Sequence, residues 1–315
     1  MNNRLVATSS PHIVSKETTT TVMLDVIIAL VPAAIAGMYY FGISSALVMA
    51  LAVGSAVGTE AAIQKITKQK VTINDLSAVI TGLLLGMNLP PSVPWWMPII
   101  GSFVAISIGK QVFGGIGNNF INPALAGRAF LVASWPVEMT FWVNPGAAPD
   151  TVAAATPLGL INTSPESLQP LSDLILGRIP GCIGETSALL LLVGGGYLIY
   201  RKVITWRIPV AYIGTVAVIA LVYGGFDFTY AGYHVFGGGL MLGAIFMATD
   251  YSSSPVTARG KIIYGIGAGL LTMLIRLFST LPEGVTYSIL FMNVAAPLIE
   301  KYTAPRVFGT GGVKK

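Results

Sequence analysis

The sequence predicts an all-α polytopic membrane protein, and three observations lead to that prediction: its composition, ten apolar segments and a one-sided distribution of Lys and Arg. Of the 315 residues, 54% are hydrophobic and only 10% are charged, and the mean hydropathy is +0.74. A soluble domain carries about 25% charged residues. The net charge of +5 comes largely from basic residues at the ends of apolar segments, so it indicates membrane topology and not nucleic-acid binding.

The helical elements follow from hydropathy and from the positions of Pro and Gly. The ten apolar segments cover approximately 22–42, 43–64, 76–90, 95–113 and 122–135, and then 186–200, 208–223, 233–248, 262–280 and 285–301. A bilayer core needs about 20 helical residues, so 76–90, 122–135 and 186–200 are short. Short or interrupted segments at matching places in two halves often lie beside a binding site.

The basic residues predict the orientation of the chain. If the N-terminus is cytoplasmic, ten crossings place 15 of the 18 Lys and Arg residues on the cytoplasmic side, together with the C-terminus. The polar first residues lack an apolar core, so no cleavable signal peptide is expected. The predicted organisation is a cytoplasmic N-terminal segment 1–21, a first membrane repeat 22–135, an extracytoplasmic loop 136–185, a second membrane repeat 186–301 and a cytoplasmic basic tail 302–315.

The two halves share an order of features. In the first half, Gly82 and Gly86 precede Met87 and a Pro-containing turn; in the second, Gly239 and Gly243 precede Met247 and a similar turn. Each half has five predicted spans, and an odd number reverses the direction of the second half. The sequence therefore predicts two inverted five-helix repeats.

The stretch 114–128 is rich in Gly and Asn. Asn122 followed by Pro123 predicts a helix start, with an N-cap and then proline in the first helical position. A helix N-terminus inside the membrane has a partial positive charge that suits an anion. Asn118, Asn119 and Asn122 are therefore candidate binding residues, and a tight re-entrant turn without a ligand is the alternative.

Arg128 and Arg276 are the only Lys or Arg residues that the predicted topology places inside spans and not on one side of the membrane. A buried cation is costly and usually faces a partner or a polar cavity. We expect both guanidinium groups to stabilise an anionic ligand, with snorkelling to an interface as the alternative.

Acidic residues and cysteine restrict the chemistry further. The acidic residues of the predicted spans all approach the cytoplasmic ends, so a carboxylate proton relay or sodium site wholly within this chain is not expected; backbone carbonyls at half-helix ends remain candidate sodium ligands. A single cysteine, Cys182, excludes a disulfide framework, a zinc site and a self-contained iron–sulfur cluster. No metal-binding residues are predicted.

The outer loop contains the segment 150–158, which reads Asp-Thr-Val-Ala-Ala-Ala-Thr-Pro-Leu. A threonine in such a turn ordinarily satisfies the local backbone with its hydroxyl. Pro157 fixes the chain just after Thr156. Trp142 lies in the same loop and is either an interfacial anchor or a ligand contact.

Together these motifs resemble those of the RnfD family, the D subunits of Rnf complexes, and of the related NqrB proteins of Nqr complexes. Segment 150–158 resembles their flavinylation motif, in which an aspartate is followed six residues later by a threonine esterified to the phosphate of FMN. The stretch 114–128 resembles the Gly-x-Gly-x-Asn-x-x-Asn-Pro-Ala signature, and 250–260 resembles the second signature. The resemblance covers nearly the whole chain and implies an inverted-repeat fold similar to that of urea and ammonium transporters.

The resemblance also implies a function. The chain is expected to be the D subunit of an Rnf-type ferredoxin:NAD oxidoreductase that translocates Na⁺ or H⁺ in the prokaryotic cell (inner) membrane. Covalent FMN is expected on Thr156, flanked by Asp150 and Pro157, and the similarity to NqrB suggests non-covalent riboflavin nearer the cytoplasmic side. The implied partners are the A, B, C, E and G subunits of the Rnf complex and a flavin transferase, and the chain alone is expected to complete no turnover.

Two alternatives remain open at this point. One is a quinone-reducing NqrB protein, which the length disfavours because NqrB has a longer N-terminal extension. The other is a channel or transporter of the same architecture without a redox role.

Overall fold

The computed structural model describes residues 17–146, 154–161, 165–185, 187–279 and 284–305. This part of the chain is helical and contains no strand. The first half contains α1 (Thr19–Phe41), α2 (Ile43–Ile66), α3 (Ser77–Met87), α4 (Trp96–Ser107) and α5 (Pro123–Ser134). Three short helices follow: α6 (Pro136–Met139), α7 (Pro157–Leu160) and α8 (Leu171–Leu176).

The second half contains α9 (Ala188–Tyr200), α10 (Arg207–Tyr223), α11 (Phe228–Phe236), α12 (Leu240–Leu242), α13 (Ala258–Phe278) and α14 (Val285–Thr303). A π-helical turn, Gly243–Met247, continues α12 directly. Short 3-10 turns lie at Ile73–Asp75, Gln111–Phe113, Pro165–Ser167 and Ile183–Glu185.

Within the described residues, four helices are long and apolar enough to cross a membrane: Thr19–Phe41, Ile43–Ile66, Trp96–Phe113 and Ala258–Phe278. Shorter apolar helices accompany them, as the short predicted segments indicated; α3 has 11 residues, α5 has 12 and α9 has 13. At 1.5 Å per residue such helices are only about 20 Å long. The prediction of an all-helical, polytopic membrane protein is confirmed.

One predicted segment, 233–248, is not a continuous helix. The structure breaks it between Phe236, where α11 ends, and Leu240, where α12 begins. Gly238 has a φ of 66°, a left-handed conformation that glycine adopts without strain. Hydropathy did not reveal this break because the residues on both sides of it are apolar.

Helix α1 connects two ends of the molecule. Near its start, the Thr20 hydroxyl donates to the carbonyl of Asn74 at 3.5 Å. At its other end, the Tyr40 carbonyl accepts a hydrogen bond from Gly146 N–H at 2.9 Å, and the Tyr40 hydroxyl donates to the carbonyl of Leu176 at 3.2 Å. The end with Asn74 is called the cavity end below, and the end with Gly146 and Leu176 is called the Thr156 end.

The helices form two packed groups that meet along matching elements. In the first group α2 packs against α3 and α4, and α4 packs against α5; in the second, α10 packs against α11 and α13, and α13 packs against α14. Between the groups, α1 contacts α9 and α5 contacts α14. The buried core runs through both groups, so the interior is shared between the halves.

Candidate functional site

A cavity of about 330 Å³ lies between the two halves at the cavity end. Ligand pockets start at about this size. The wall is mainly apolar, with polar groups supplied by the stretch that follows α4 and by the loop before α13. The lining includes Val22, Val26, Ser77, Thr81, Leu84, Lys110, Asn119, Asn122, Leu198, Phe246 and Asp250.

The N-terminus of α5 borders this cavity. The Asn122 Oδ1 accepts hydrogen bonds from the N–H groups of Ala124 at 3.0 Å and Leu125 at 3.3 Å, which confirms the helix start predicted from Asn122 and Pro123. The Asn122 side chain also donates to the carbonyl of Met247 at 3.1 Å. Asn122 therefore caps a helix of one half and contacts the π-helical turn of the other.

The two sequence signatures meet beside the same cavity. Asn119 Nδ2 donates to Asp250 Oδ2 at 3.2 Å, and the Ser252 hydroxyl donates to Asn119 Oδ1 at 2.9 Å. The Ser253 hydroxyl donates to Asp250 Oδ2 at 2.9 Å. Burial raises the pKa of the Asp250 carboxyl, and the hydrogen bonds from Ser253 and Asn119 oppose that shift. Asn118 is instead exposed and bonds only weakly within its own turn, to the Gly114 carbonyl at 3.4 Å.

A buried lysine on the cavity wall was not identified from the sequence as a site residue. Lys110 is 2% exposed, and its Nζ lies 2.8 Å from both carboxylate oxygens of Glu60 and 2.6 Å from the Ser77 hydroxyl. Gln64 and Gln111 add hydrogen bonds to the same Glu60 carboxylate. Charge counting placed Lys110 at the cytoplasmic side of its span, but it gave no sign that the side chain turns inwards to a partner on α2.

Arg128 of α5 lies in the interior, as predicted, and its contacts come from the end of α3 and from the loop before α9. Nη1 donates to Asn88 Oδ1 at 2.5 Å and lies 4.0 Å from Glu185 Oε1. Nη2 contacts Cys182 Sγ at 3.4 Å. Burial raises the pKa of the Cys182 thiol, which donates to the Asn88 carbonyl at 3.1 Å.

Glu185 is a second residue that sequence reasoning missed. It was counted within the loop 136–185, but the 3-10 turn Ile183–Glu185 folds into the interior, where Ile183 N–H donates to the Leu89 carbonyl at 3.0 Å. Glu185 is 6% exposed. The expectation that this chain holds no carboxylate relay considered only the acidic residues of the predicted spans, and it therefore left out a buried carboxyl group beside Arg128. Gly, Pro and polar neighbours lowered the local hydropathy and concealed its burial.

Arg276, near the end of α13, caps a helix. Its Nη1 donates to the His234 carbonyl at 2.5 Å and its Nη2 to the Gly237 carbonyl at 3.2 Å, at the C-terminus of α11 where a cation is favourable. At 7% exposure it does not snorkel to a surface. A Cβ atom on Gly238 would lie 3.2 Å from Arg276 Nη2 and 2.8 Å from Leu158 Cδ1, so α7 packs beside this arginine. That Arg276 stabilises a cofactor anion stays a prediction.

Thr156 is the N-cap of α7. Its Oγ1 accepts a hydrogen bond from Gly159 N–H at 3.3 Å, so the local backbone contact expected of such a threonine is present. Pro157 occupies the first helical position and is buried, while Thr156 itself is partly exposed. Asp150 lies outside the described residues.

The backbone of Trp142 lies close to the segment that contains Thr156. Its carbonyl accepts a hydrogen bond from Ala154 N–H at 2.9 Å, which brings the residues before and after the undescribed part of the loop together. The Trp142 side chain is 5% exposed and is thus largely packed inside the protein.

The chain was also compared with known proteins. Residues 6–309 match the family model described as the NQR2, RnfD, RnfE family. A relative from Acetobacterium woodii, named as the D subunit of a Na⁺-translocating ferredoxin:NAD⁺ oxidoreductase complex, is 53% identical over 314 residues, covering 99% of this chain and 97% of the relative.

Two further relatives have similar names. The D subunit of the proton-translocating ferredoxin:NAD⁺ oxidoreductase complex of Clostridium ljungdahlii is 46% identical, covering 98% of this chain and 97% of the relative. The D subunit of the ion-translocating oxidoreductase complex of Yersinia enterocolitica is 37% identical, covering 96% and 97%. Because the family model and these relatives match nearly the full length, the chain belongs to the NQR2, RnfD, RnfE family.

Proposed function

We propose that this chain is the D subunit of an Rnf-type ferredoxin:NAD oxidoreductase, which couples electron transfer to Na⁺ or H⁺ translocation in the prokaryotic cell (inner) membrane. The observation that carries the proposal is 53% identity over 99% of the chain to a relative with that name. The role of the chain itself is to hold flavin and to pass electrons between partner subunits. The partners are the A, B, C, E and G subunits of the Rnf complex.

Thr156 is the proposed site of covalent FMN, attached by a flavin transferase through a phosphoester to Oγ1. Its support is the resemblance to the family motif together with the position of Thr156, a partly exposed residue that precedes Pro157 at the start of α7. Bound flavin would supply the redox chemistry, while the protein sets its position and environment. Asp150 and Pro157 would form part of the segment that the transferase recognises.

A second flavin, riboflavin, is proposed for the 330 Å³ cavity. The apolar wall suits a flat aromatic ring system, and the few polar groups of the lining suit its carbonyl and ring nitrogen atoms. Asn119, Asn122 and Asp250 are the polar side chains that would orient it. Lys110 borders the same space with its charge already paired to Glu60.

The matching contacts of the two helix groups support an inverted repeat of five helices each. The pair α2 and α4 corresponds to α10 and α13, and the pair α4 and α5 corresponds to α13 and α14. The first helices of the two groups, α1 and α9, contact each other, as do the last, α5 and α14. In this arrangement α3 corresponds to the interrupted element from α11 to the π-helical turn.

The basic residues favour a cytoplasmic position for the cavity end. Lys65, Arg201, Arg207 and Lys261 lie where α2 and α9 end and where α10 and α13 begin, which is the side that carries excess Lys and Arg in membrane proteins. The Thr156 end then faces outwards. Electrons would reach or leave the two flavins from opposite sides of the membrane.

The test is in-gel flavin fluorescence of the denatured polypeptide, co-expressed with a flavin transferase, in the wild type, Thr156→Ala and Thr156→Ser. Fluorescence is expected in the wild type, lost in Thr156→Ala and partly retained in Thr156→Ser, which keeps a hydroxyl. Thr140→Ala is the matched control, because the Thr140 hydroxyl only bonds its own turn.

The outcomes separate the alternatives. If no variant fluoresces although the transferase modifies a control substrate, covalent FMN is excluded. Solute flux through proteoliposomes of the flavin-free protein would then support the transporter alternative. Quinone reduction by the purified complex would favour an NqrB protein.

A further inference from the structure

Two buried glutamates in the described part of the chain differ in how fully their carboxylate oxygens are hydrogen-bonded. Glu60 receives Lys110 Nζ at 2.8 Å on both oxygens, with added hydrogen bonds from Gln64 and Gln111. Glu185 is comparably buried, yet its Oε1 accepts no hydrogen bond, and Arg128 Nη1 stands 4.0 Å away. A buried carboxylate is stable in the ionised form when it is both paired and hydrogen-bonded. Glu60 meets that condition fully, whereas Glu185 has its counter-charge at the longer distance of 4.0 Å and one oxygen, Oε1, that accepts no hydrogen bond.

The space around Glu185 is left open by glycine. A Cβ atom on Gly239 would lie 3.1 Å from Glu185 Oε1, and one on Gly181 would lie 3.1 Å from Oε2. Oε2 accepts a long hydrogen bond from the Cys182 N–H at 3.5 Å. Any side chain at these two glycines would press on the carboxyl group. The fold therefore accommodates the carboxyl group without giving Oε1 a hydrogen-bond donor.

The groups that surround Glu185 determine which side chain of this cluster can exchange a proton. Helices α1, α3 and α12 pack against its turn with apolar or glycine residues: Gly37 meets Ile183, and Gly184 meets Met87 and Leu242. The charged and titratable groups of the surroundings are Arg128 on α5, Cys182 in the same loop and, beyond Gly239, Arg276 on α13 with the neighbouring His234. Arginine keeps its proton in proteins.

We propose that Glu185 takes up and releases a proton inside the membrane domain, with Arg128 as its fixed counter-charge. In this step the carboxylate takes one proton from a hydronium ion: an O–H bond forms on the carboxyl group, one O–H bond of the hydronium ion breaks, and a water molecule is released. The pair of Glu185 and Arg128 passes from a net charge of zero to +1. An electron arriving nearby supplies the compensating negative charge, because charges in a low-dielectric interior interact strongly.

The glycine break at 237–239 connects this cluster to the proposed flavin. Gly239 adjoins Glu185, while Gly237 and Gly238 adjoin Leu158 of α7, the helix that Thr156 caps. Proton uptake at Glu185 on reduction of the flavin rests on the proposed function. The exchange of a proton at Glu185 itself does not rest on the proposed function.

The first test is therefore independent of flavin. Dicyclohexylcarbodiimide reacts with protonated carboxyl groups in apolar surroundings, and the purified complex is treated with it across a range of pH before peptide mass spectrometry. Modification of Glu185 is expected, while Glu60, whose carboxylate is paired with Lys110, stays unmodified. A Glu185 that is unmodified at every pH overturns the proposal.

The second test is redox-difference infrared spectroscopy of the same complex in H₂O and D₂O. Visible absorbance of the same sample shows whether flavin is present and whether dithionite reduces it. A complex without flavin would contradict the proposed function, and this result can be told apart from a missing infrared band. A protonated-carboxyl band that appears on reduction and shifts in D₂O is expected in the wild type. The band should be absent in Glu185→Gln. In Glu185→Asp, which retains a carboxyl group, the band should be displaced, and this variant serves as the test if Glu185→Gln does not assemble.

Asp25→Asn is the control in the infrared experiment. Asp25 is also 6% exposed, but its carboxylate is hydrogen-bonded by Tyr197 at 2.8 Å and twice by Arg201 at 3.1 and 3.2 Å. The band is expected to persist in this variant. A flavin that is reduced without any carboxyl band, or a band that survives in Glu185→Gln, overturns the coupling of Glu185 to the flavin.

Discussion

Gly194 of α9 packs directly on the main chain of α1, and a Cβ atom at Gly194 would lie 2.3 Å from the carbonyl oxygen of Ala29. This contact joins the first helices of the two groups. Close approach of helix backbones at small residues is a common way to associate helices in a membrane, where apolar burial between helices contributes little. Two residues further along the same helix, Gly196 faces open space.

We expect Gly194→Ala to destabilise the protein by about 1–3 kcal/mol, the usual cost of overpacking a close contact. Gly196→Ala is the matched control and should be neutral or stabilising by up to about 1 kcal/mol, because alanine favours the helix more than glycine. Thermal unfolding of the detergent-solubilised protein would measure both. Equal melting temperatures for the two variants would show that α1 and α9 do not pack as described.

A second prediction concerns the cavity. Val26 of α1 lines it, whereas Leu24 is 47% exposed and is not part of the lining. Val26→Trp should fill part of the 330 Å³ and lower the amount of flavin released on denaturation, while Leu24→Trp should leave it unchanged. Chromatography of the flavins released from the purified complex gives the amount of riboflavin per complex in each variant. Full riboflavin content in Val26→Trp would place the non-covalent flavin elsewhere.

A third prediction concerns Asp250 and pH. Burial raises the pKa of its carboxyl above the ordinary value of 3.8. Stability from a raised carboxyl pKa is fully present below the unfolded-state pKa and is lost as the pH rises through the folded-state pKa. Asp250→Asn keeps an oxygen for Ser253 and Asn119 but cannot ionise. It should therefore melt at a higher temperature than the wild type at pH 7, and the difference should narrow as the pH falls towards 4.

The control for this measurement is Asp227→Asn. Asp227 is an exposed N-cap of α11 that accepts a hydrogen bond from Thr229 N–H at 2.7 Å, and asparagine is an equally good cap. Its melting temperature should follow that of the wild type between pH 5 and 8. A constant difference between Asp250→Asn and the wild type over the whole range would mean that ionisation of Asp250 costs the fold nothing.

Local signals in the sequence were sufficient for several elements. Asn122 and Pro123 predicted the start of α5 because capping depends on neighbouring residues alone. The short segments 76–90, 122–135 and 186–200 likewise contain short helices, since their lengths follow from where apolar residues stop. Identification of the family rested on motifs of the same local kind.

The positions of individual side chains in the folded protein were harder to predict from the sequence. Whether Lys110 turns inwards depends on Glu60, which lies on another helix and has no fixed spacing from it in the sequence. Glu185 was counted as a loop residue because hydropathy averages over neighbours and cannot register that a turn folds back beside Arg128. The role of Arg276 as a helix cap required the break after α11, which an apolar window conceals.

The contacts that Asn122 and Arg128 make with later parts of the chain have a consequence for biogenesis. Asn122 reaches Met247, and Arg128 reaches Cys182 and Glu185, all of which are synthesised after helices α1 to α5. Until those residues leave the ribosome, the first half carries an arginine and an asparagine that lack these partners, and in lipid such groups are unfavourable. The first half is therefore expected to remain beside the insertion machinery until the second half arrives, so that the two halves enter the bilayer as one unit.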